Sequence, residues 1–357
     1  MLDKLGITEN RFEEISCSLS SPDIVNNQEQ YKKLMRELKM LQPIIDKYRE
    51  YIKARNNSED AKGLLDARPD TEMKTFAEDE LEIARADMER LEQELTVMLL
   101  PRDPNDDKNV IVEIRGGAGG DEAALFASSL YRMYSMYAQT KGWMFETLNL
   151  NETELGGIKE ISFLITGDGA YSRLKFESGV HRVQRVPETE SSGRIHTSTV
   201  TVAVLPEVED VEVYINPDDL RIDTYRSSGA GGQHINKTES AIRITHLPTG
   251  LVVECQDERS QYKNKDRAMK ILRSRLYEKA QREQDQMIAA QRRFQVGTGD
   301  RSERIRTYNF PQGRVTDHRI GVTLYRIDDI MNGDLDELLN CLITADQADK
   351  LRLGEAG

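Results

Sequence analysis

Two stretches in the first hundred residues carry apolar side chains at alternating steps of four and three positions. Such spacing places the side chains along one side of an α-helix. We therefore predict two long helices that pack as an antiparallel hairpin, preceded by shorter helices. The polar segment 56–71 is predicted to separate the two helices, and Pro43 is predicted to kink the first. The two stripes consist of Leu34, Leu38, Leu41, Ile45, Tyr48 and Ile52, and of Leu81, Ala84, Met88, Leu91, Leu95 and Met98.

A polar break at residues 101–108 ends the helical pattern, and strand-like sequences follow it. NVIVEIR, ISFLITG, TVTVAVL and VEVYI are rich in β-branched residues, and AIRITHLPTGLVVECQ is typical of a hairpin. A basic stretch from Lys263 to Gln291 is typical of a helix. We therefore predict an α+β multidomain fold. Its expected parts are an acidic helical domain over 1–108, a mixed α/β core over 109–216 plus 307–357, and a small α+β domain over 217–306.

Charge is distributed unevenly along the 357 residues. The formal net charge of −13 argues by itself against nucleic acid as a partner. Residues 1–110, however, hold 17 Lys/Arg against 25 Asp/Glu, whereas residues 259–306 hold 14 Lys/Arg against 6 Asp/Glu. An acidic head and a basic segment in one chain indicate nucleic-acid contact more strongly than the total charge does.

The three cysteines, Cys17, Cys255 and Cys341, lie far apart, so neither a zinc site nor a disulfide framework is predicted. We expect no metal and no cofactor. The N-terminal residues lack a basic region followed by an apolar run, and no apolar run approaches the length of a membrane span. We therefore expect a cytoplasmic protein in a reducing compartment, without a membrane partner.

Two polar motifs leave alternatives open. RGGAGGDEAALF, residues 115–126, lacks the lysine of a phosphate-binding loop and the third glycine of a dinucleotide fingerprint. It predicts either a helix N-terminus whose amides closely approach a ligand or an ordinary glycine-containing cap. HRVQRVPETESSGRIHTST, residues 181–199, is dense in small hydroxyl and amide side chains and contains two histidines. Such groups suit the reading of base edges in a single strand, although a solvated loop has the same composition.

The basic stretch favours contact with a phosphate backbone over a merely solvated face. The residues expected to hold phosphates are Arg259, Lys263, Lys265, Arg267, Lys270 and Arg273.

The glycine-rich sequence GAGGQ ends in Gln233, whose amide has no useful pKa for general-base catalysis. A chemical role for this sequence must therefore be positional. Consecutive glycines allow a main-chain N–H to approach a reacting atom, and such a dipole stabilises developing negative charge. A mobile turn without any function is the alternative.

GAGGQHINKTESAIRITHLPTG, residues 229–250, resembles the peptidyl-tRNA hydrolysis loop and following hairpin of class I peptide chain release factors. ERSQYKNKDRAM, residues 258–269, continues the match. PET, residues 187–189, is similar to the proline–any–threonine tripeptide of the bacterial type that reads UAA and UAG, and the serine–proline–phenylalanine of the UGA-reading type is absent. The likeness extends over nearly the whole chain.

This resemblance implies a translation termination factor that recognises UAA and UAG in the ribosomal A site and triggers hydrolysis of peptidyl-tRNA there, rather than a free-standing enzyme. The loop of Pro187, Glu188 and Thr189 would enter the decoding centre, with Thr189 contacting the first two bases. The resemblance assigns His196 to stacking on the second base, Gln184 and Thr197 to the third base, and the helix end at Gly119 and Glu122 to the first.

The resemblance also implies a role in the peptidyl transferase centre. Attack of water on the ester would be promoted there by Gly231, Gly232 and Gln233. Methylation of the Gln233 side-chain amide is implied, with a glutamine methyltransferase as a partner. The acidic head would lie near a class II release factor GTPase, and the connector 295–306 would rearrange once the codon is bound.

Two other functions are compatible with parts of the sequence. A ribosome-rescue peptidyl-tRNA hydrolase would resemble only the chain from Asp219 onward and would not read a codon. A coiled-coil RNA-binding adaptor would use the helices without any chemistry.

Overall fold

The computed structural model describes residues 2–21, 24, 27–67, 70–101, 103–187, 193–208, 214–226 and 239–355. The chain divides into two compact units, residues 1–103 together with 343–357, and residues 104–342. The three-domain division expected from the sequence remains a prediction.

The helical unit begins with three helices, and polar side chains start two of them. The Asn27 side chain accepts a hydrogen bond from the N–H of Gln30, and the Asp70 side chain accepts one from the N–H of Met73. Such capping satisfies N–H groups that have no partner within the helix. The helices are α1 (Leu2–Leu19), α2 (Gln28–Asp66) and α3 (Thr71–Met98).

The predicted pairing of two long helices is confirmed, because α2 and α3 pack along their length and bury Ile45 and Leu95 completely. One detail of the prediction is wrong. The first helix extends to Asp66 through most of the segment expected to separate the pair, so Gly63 is helical. Pro43 lies inside this helix, as expected, and the kink at Pro43 stays a prediction.

An eight-stranded sheet forms the centre of the second unit, in the order β11-β10-β9-β4-β5-β1-β3-β2. Neighbouring strands are antiparallel except β4 and β9, which are parallel. The strands are β1 (Val110–Gly116), β2 (Met144–Glu152), β3 (Ile158–Thr166), β4 (Gly179–Arg185), β5 (His196–Pro206), β9 (Arg304–Asn309), β10 (Arg314–Asp317) and β11 (Val322–Leu324).

Helix α4 packs against this sheet with Phe126, Leu130 and Tyr134 fully buried, and these residues share one apolar core with Val112 and Phe163 of the strands. Burial of such side chains is the main favourable contribution to folding. The helices of this part are α4 (Asp121–Thr140), α5 (Ala170–Leu174) and α7 (Ile327–Met331), and α8 (Asp336–Glu355) begins in it and continues into the first unit from residue 343.

A separate three-stranded antiparallel sheet, in the order β6-β7-β8, packs against one long helix. Ile244 and Val253 of the sheet contact the helix side that carries Ala268, Leu272 and Leu276. The predicted hairpin and basic helix are confirmed, and the helix is longer than expected. The bounds are β6 (Leu220–Tyr225), β7 (Ala241–His246), β8 (Leu251–Cys255) and α6 (Gln261–Val296). The predicted strand VEVYI falls mostly outside the described residues.

A buried ionic cluster fixes β9 beside β4. Arg306 is fully buried and donates two hydrogen bonds of 2.7 Å to the Glu177 carboxylate and one of 3.2 Å to Asp317. Burial alone would raise the pKa of Glu177, but the adjacent Arg306 outweighs it and holds that pKa below the ordinary value. His181 of β4 lies in the same cluster, where burial lowers its pKa to about 4.

Among the described residues, none of the helices has both the length and the apolar character needed to cross a bilayer. The same residues contain no group of three or more His, Cys, Asp and Glu suited to holding a metal ion.

Candidate functional site

The glycine loop between β1 and α4 is hydrogen-bonded to strand β5. The N–H of Gly117 donates to the carbonyl of Thr199, and the N–H of Thr199 donates to the carbonyl of Ala118, both at 2.8 Å. Gly119 has a φ of +143°, and a Cβ there would lie 2.3 Å from Oγ of Ser198. Only glycine therefore permits this approach of the loop to β5.

Helix α4 begins directly after this loop with a buried carboxylate in its first turn. Gly120 is the N-cap and supplies no side-chain hydrogen bond. Glu122 is 4% exposed, and its Oε1 accepts a hydrogen bond of 2.6 Å from Nε of Arg185. Oε2 of Glu122 is buried without a hydrogen-bond donor among the described residues. The positive end of the helix dipole favours this negative charge.

The stretch 181–199 is not a solvated loop over its whole length. Its two ends lie in β4 and β5, which pair with Gln184 opposite Thr197 and Arg185 opposite His196. Opposite residues of an antiparallel pair point to the same face, and successive residues alternate between faces. Gln184 and Thr197 therefore share one face of the sheet, and Arg185 and His196 share the other.

This pairing brings together the two residues expected to read one codon position. The composition of β4 does not predict a strand, because the half-buried Arg182 and Gln184 make this stretch as polar as a loop. His196 is exposed. Pro187 is buried just after β4, whereas Glu188 and Thr189 lie outside the described residues.

The last residue of β9, Asn309, and the residue after it, Phe310, also contact this site, although the sequence pattern does not single them out. The side-chain amide of Asn309 donates to Oε1 of Gln184 at 3.2 Å, and the N–H of Phe310 donates to the main-chain carbonyl of Gln184 at 3.0 Å. The guanidinium of Arg185 lies 5.4 Å from the centroid of the Phe310 ring. The parallel pairing of β4 with β9 joins residues 125 positions apart, so local patterns carry no signal for it.

The loop expected to promote hydrolysis connects β6 to β7. Gly231, Gly232 and Gln233 lie outside the described residues, but both strand ends that hold the loop are described. Tyr225 pairs with Ala241, and beyond that pair Nε of Arg226 lies 3.8 Å from Oε1 of Glu239. The described ends of β6 and β7 therefore stay paired up to the residues that border this segment.

Asn264 of α6 anchors the chain where the loop returns. It is fully buried, and its amide donates hydrogen bonds of 2.8 Å to the carbonyls of Ser240 and Glu258. Its Oδ1 accepts the N–H of Glu258 at 3.0 Å. A buried amide with all of these partners holds two segments in one arrangement. Helical spacing places Asn264 four residues before the buried Ala268, on the same side of α6. Because asparagine is polar, the sequence does not indicate that it is buried there as an anchor.

The outer side of α6 and the residues just before it carry the cations expected to hold RNA phosphates. Arg267 forms an ion pair of 3.3 Å with Asp257. Lys270 and Arg273 line a shallow groove with Ser274 and Tyr277. Such an exposed cationic surface suits a phosphate backbone. All six predicted residues are exposed, namely Arg259, Lys263, Lys265, Arg267, Lys270 and Arg273.

The end of α6 and the connector after it contact the large sheet. Arg292 forms two hydrogen bonds of 2.6 and 2.7 Å with the Glu113 carboxylate. The Gln295 side chain bonds both the N–H and the carbonyl of Val204 at 2.8 Å. The Oγ1 of Thr199 donates to the carbonyl of Gly299 at 3.2 Å. The connector thus contacts the same β5 residue that holds the glycine loop.

Comparison with known proteins covers almost the whole chain. A family model described as the PCRF domain matches residues 8–202, and one described as the RF-1 domain matches residues 209–319. The chain is 64% identical over 354 residues to a protein of Acetivibrio thermocellus named peptide chain release factor 1, covering 99% of this chain and 98% of that protein. Proteins of the same name from Clostridium beijerinckii and Caldicellulosiruptor saccharolyticus are each 60% identical, with 99% of this chain covered and 98% and 99% of those proteins.

Among solved structures, the chain is similar to one described as RF2 of Thermus thermophilus, with 36% identity, 96% of both chains covered and a TM-score of 0.49.

Proposed function

The chain belongs to the peptide chain release factor 1 family of translation termination factors, and we propose that it reads UAA and UAG in the ribosomal A site and releases the nascent peptide. Family membership supports interaction with the ribosome and peptidyl-tRNA and a part in ribosome-dependent hydrolysis of peptidyl-tRNA. The codon preference and the roles of individual residues are the further content of the proposal.

Codon reading occurs at the end of the sheet where β4, β5 and α4 meet. Thr189 contacts the first two bases, and the helix end at Gly119 and Glu122 faces the first base. The start of helix α4 supports this role, because the first turn of a helix has N–H donors without a partner inside the helix.

The second and third bases meet the paired strand ends. His196 stacks on the second base, and its exposure at the start of β5 supports this position. Gln184 and Thr197 read the third base, with Pro187 and Glu188 shaping the loop beside them. The observation that carries the proposal is the pairing of Gln184 with Thr197 on one sheet face, because two adjacent polar groups can contact one base edge together.

Peptide release occurs at the loop between β6 and β7. Water attacks the carbonyl carbon of the ester, the bond to the tRNA 3′ oxygen breaks, and that oxygen takes up a proton. The main-chain N–H of Gln233 donates to the charge that develops on the reacting oxygens, while Gly231 and Gly232 permit the close approach. The pairing of β6 with β7 and the hydrogen bond from Asn264 to Ser240 support this role, because they hold the two described strand ends between which Gln233 lies in the sequence.

Other contacts serve binding and regulation. The exposed cations of α6 hold phosphates of ribosomal or transfer RNA. A methyltransferase modifies the Gln233 side-chain amide, and a class II release factor GTPase acts near the acidic helical unit. The connector 295–306 changes its contacts with β5 when a codon is bound.

Release of labelled peptide from ribosomes programmed with UAA, UAG, UGA or a sense codon tests this function. We expect peptide release on UAA and UAG only. Thr189→Ala should lower the release rate on both codons by roughly ten- to a hundredfold, because the loss of one buried hydrogen bond costs about 1–3 kcal/mol. Codon-independent release would instead indicate a rescue hydrolase, which the match of the first family model to residues 8–202 does not favour. Full release by Thr189→Ala would remove this loop from codon reading.

A further inference from the structure

The orientation of the Asn309 side chain is determined by a main-chain donor. The N–H of Gln312 donates to Oδ1 of Asn309 at 3.1 Å, and a main-chain N–H can only donate. The oxygen of the Asn309 amide therefore faces Gln312, and its nitrogen is the group that donates to Gln184 Oε1 at 3.2 Å. An exchange of the oxygen and nitrogen positions, which amide side chains otherwise permit, would break both bonds.

A second contact reinforces this orientation. The Asn309 amide nitrogen also donates to Oε1 of Gln312 at 3.0 Å, and the same oxygen accepts from Nε of Arg314 at 2.7 Å. Because Arg314 can only donate, Oε1 of Gln312 is fixed as an acceptor as well. The main chain of Gln184 is held independently by the N–H of Phe310. The main-chain position of Gln184 therefore does not depend on the Asn309 side chain. Asn309 determines only the orientation of the Gln184 side-chain amide.

We propose that Asn309 is a positioning residue that determines which end of the Gln184 amide faces the third codon base. The proposal rests on the proposed function, in which Gln184 contacts that base. With Oε1 turned towards Asn309, Gln184 presents its NH₂ group as a donor.

The bases differ in what they offer to such a donor. Adenine and guanine both carry the N7 acceptor, but guanine adds the O6 acceptor where adenine has an N6 amino donor. A fixed NH₂ group on Gln184 therefore favours guanine relative to adenine at this edge. The hydroxyl of Thr197 can donate or accept and adapts to either base. Asn309 accordingly sets the balance between UAG and UAA without touching the codon itself.

The replacement Asn309→Asp tests the assignment, because a carboxylate keeps the shape and the bond from Gln312 N–H but cannot donate to Gln184. The Gln184 amide should then turn its NH₂ group towards residue 309 and present Oε1, which accepts from the adenine amino group. We expect the ratio of release on UAA to release on UAG to rise about three- to tenfold, the size of one exchanged hydrogen bond. Both codons are measured on one preparation, so a loss of folded protein cancels in the ratio.

The replacement Gln312→Glu is the matched control. It adds the same charge next to residue 309 but keeps an oxygen that accepts from Asn309 and Arg314, so the ratio should not change. Asn309→Ala frees the Gln184 amide without adding charge and should shift the ratio in the same direction by less. The assignment is wrong if Asn309→Asp leaves the ratio unaltered or if Gln312→Glu changes it equally. Release by the unaltered protein on sense codons would instead refute the proposed function.

Discussion

The glycine loop before α4 permits a comparison of two glycines that differ mainly in their surroundings. Gly119 and Gly120 both have positive φ, at +143° and +61°. A Cβ on Gly120 would meet nothing within 4 Å, whereas a Cβ on Gly119 would lie 2.3 Å from Oγ and 2.5 Å from Cβ of Ser198. Alanine at either position is strained by the backbone, but only alanine at 119 also collides with β5.

The expected magnitudes follow from these two contributions. Gly120→Ala should lower the free energy of unfolding by roughly 1–3 kcal/mol, the cost of an unfavourable backbone conformation. Gly119→Ala should add about 1–3 kcal/mol for overpacking against Ser198. The difference between the variants is therefore expected to exceed about 1 kcal/mol. Because Ser198 adjoins Thr197, only the variant at 119 should also displace Thr197, for which we propose contact with the third base.

Urea unfolding followed by tryptophan fluorescence measures these values in the correct part of the chain. Trp143 is the only tryptophan, and its ring packs edge-on against Tyr137 at 5.6 Å between centroids. Its signal therefore reports on the unit that contains the large sheet. Combining Gly119→Ala with Ser198→Gly removes the two closest contacts and should recover part of the loss. Equal destabilisation by Gly119→Ala and Gly120→Ala would refute the packing argument.

Three further predictions concern catalysis, RNA binding and pH. Gln233→Ala keeps the main-chain N–H and should retain much of the peptide release. Gln233→Pro lacks this N–H, and its release rate should fall roughly 10²–10³-fold when ribosome binding is equal. An alanine variant as inactive as the proline variant would assign the chemistry to the Gln233 side chain. Replacing Arg267, Lys270 and Arg273 with alanine should weaken ribosome binding and reduce its salt dependence, and an unchanged salt slope would leave α6 as a solvated surface. As pH falls from 6.5 to about 4, the unfolded chain binds a proton that buried His181 does not, so stability should fall by up to about 1.4 kcal/mol per pH unit. Urea unfolding at several pH values should show a smaller slope over this range for His181→Gln, and an identical slope would exclude His181 as the source.

Some of the site is accessible to sequence reasoning because it depends on local patterns. The exposed cations of α6 follow from helical spacing, since Leu272 and Leu276 define the buried side and the lysines and arginines lie elsewhere. The strand β4 is not accessible in this way. Its neighbour β9 is distant in sequence, and half-buried polar residues such as Gln184 give β4 the composition of a loop.

What the sequence by itself determined is therefore the set of elements whose stability depends on neighbours along the chain: the paired helices of the first unit, the hairpin of β7 and β8, and the basic helix. Tertiary structure alone decided which polar groups meet. The contact of Asn309 with Gln184 and the bonds of Asn264 to Ser240 depend on chain segments brought together by packing. A buried hydrogen bond requires a partner at one distance and direction, and residue spacing along the chain does not specify either across separate elements.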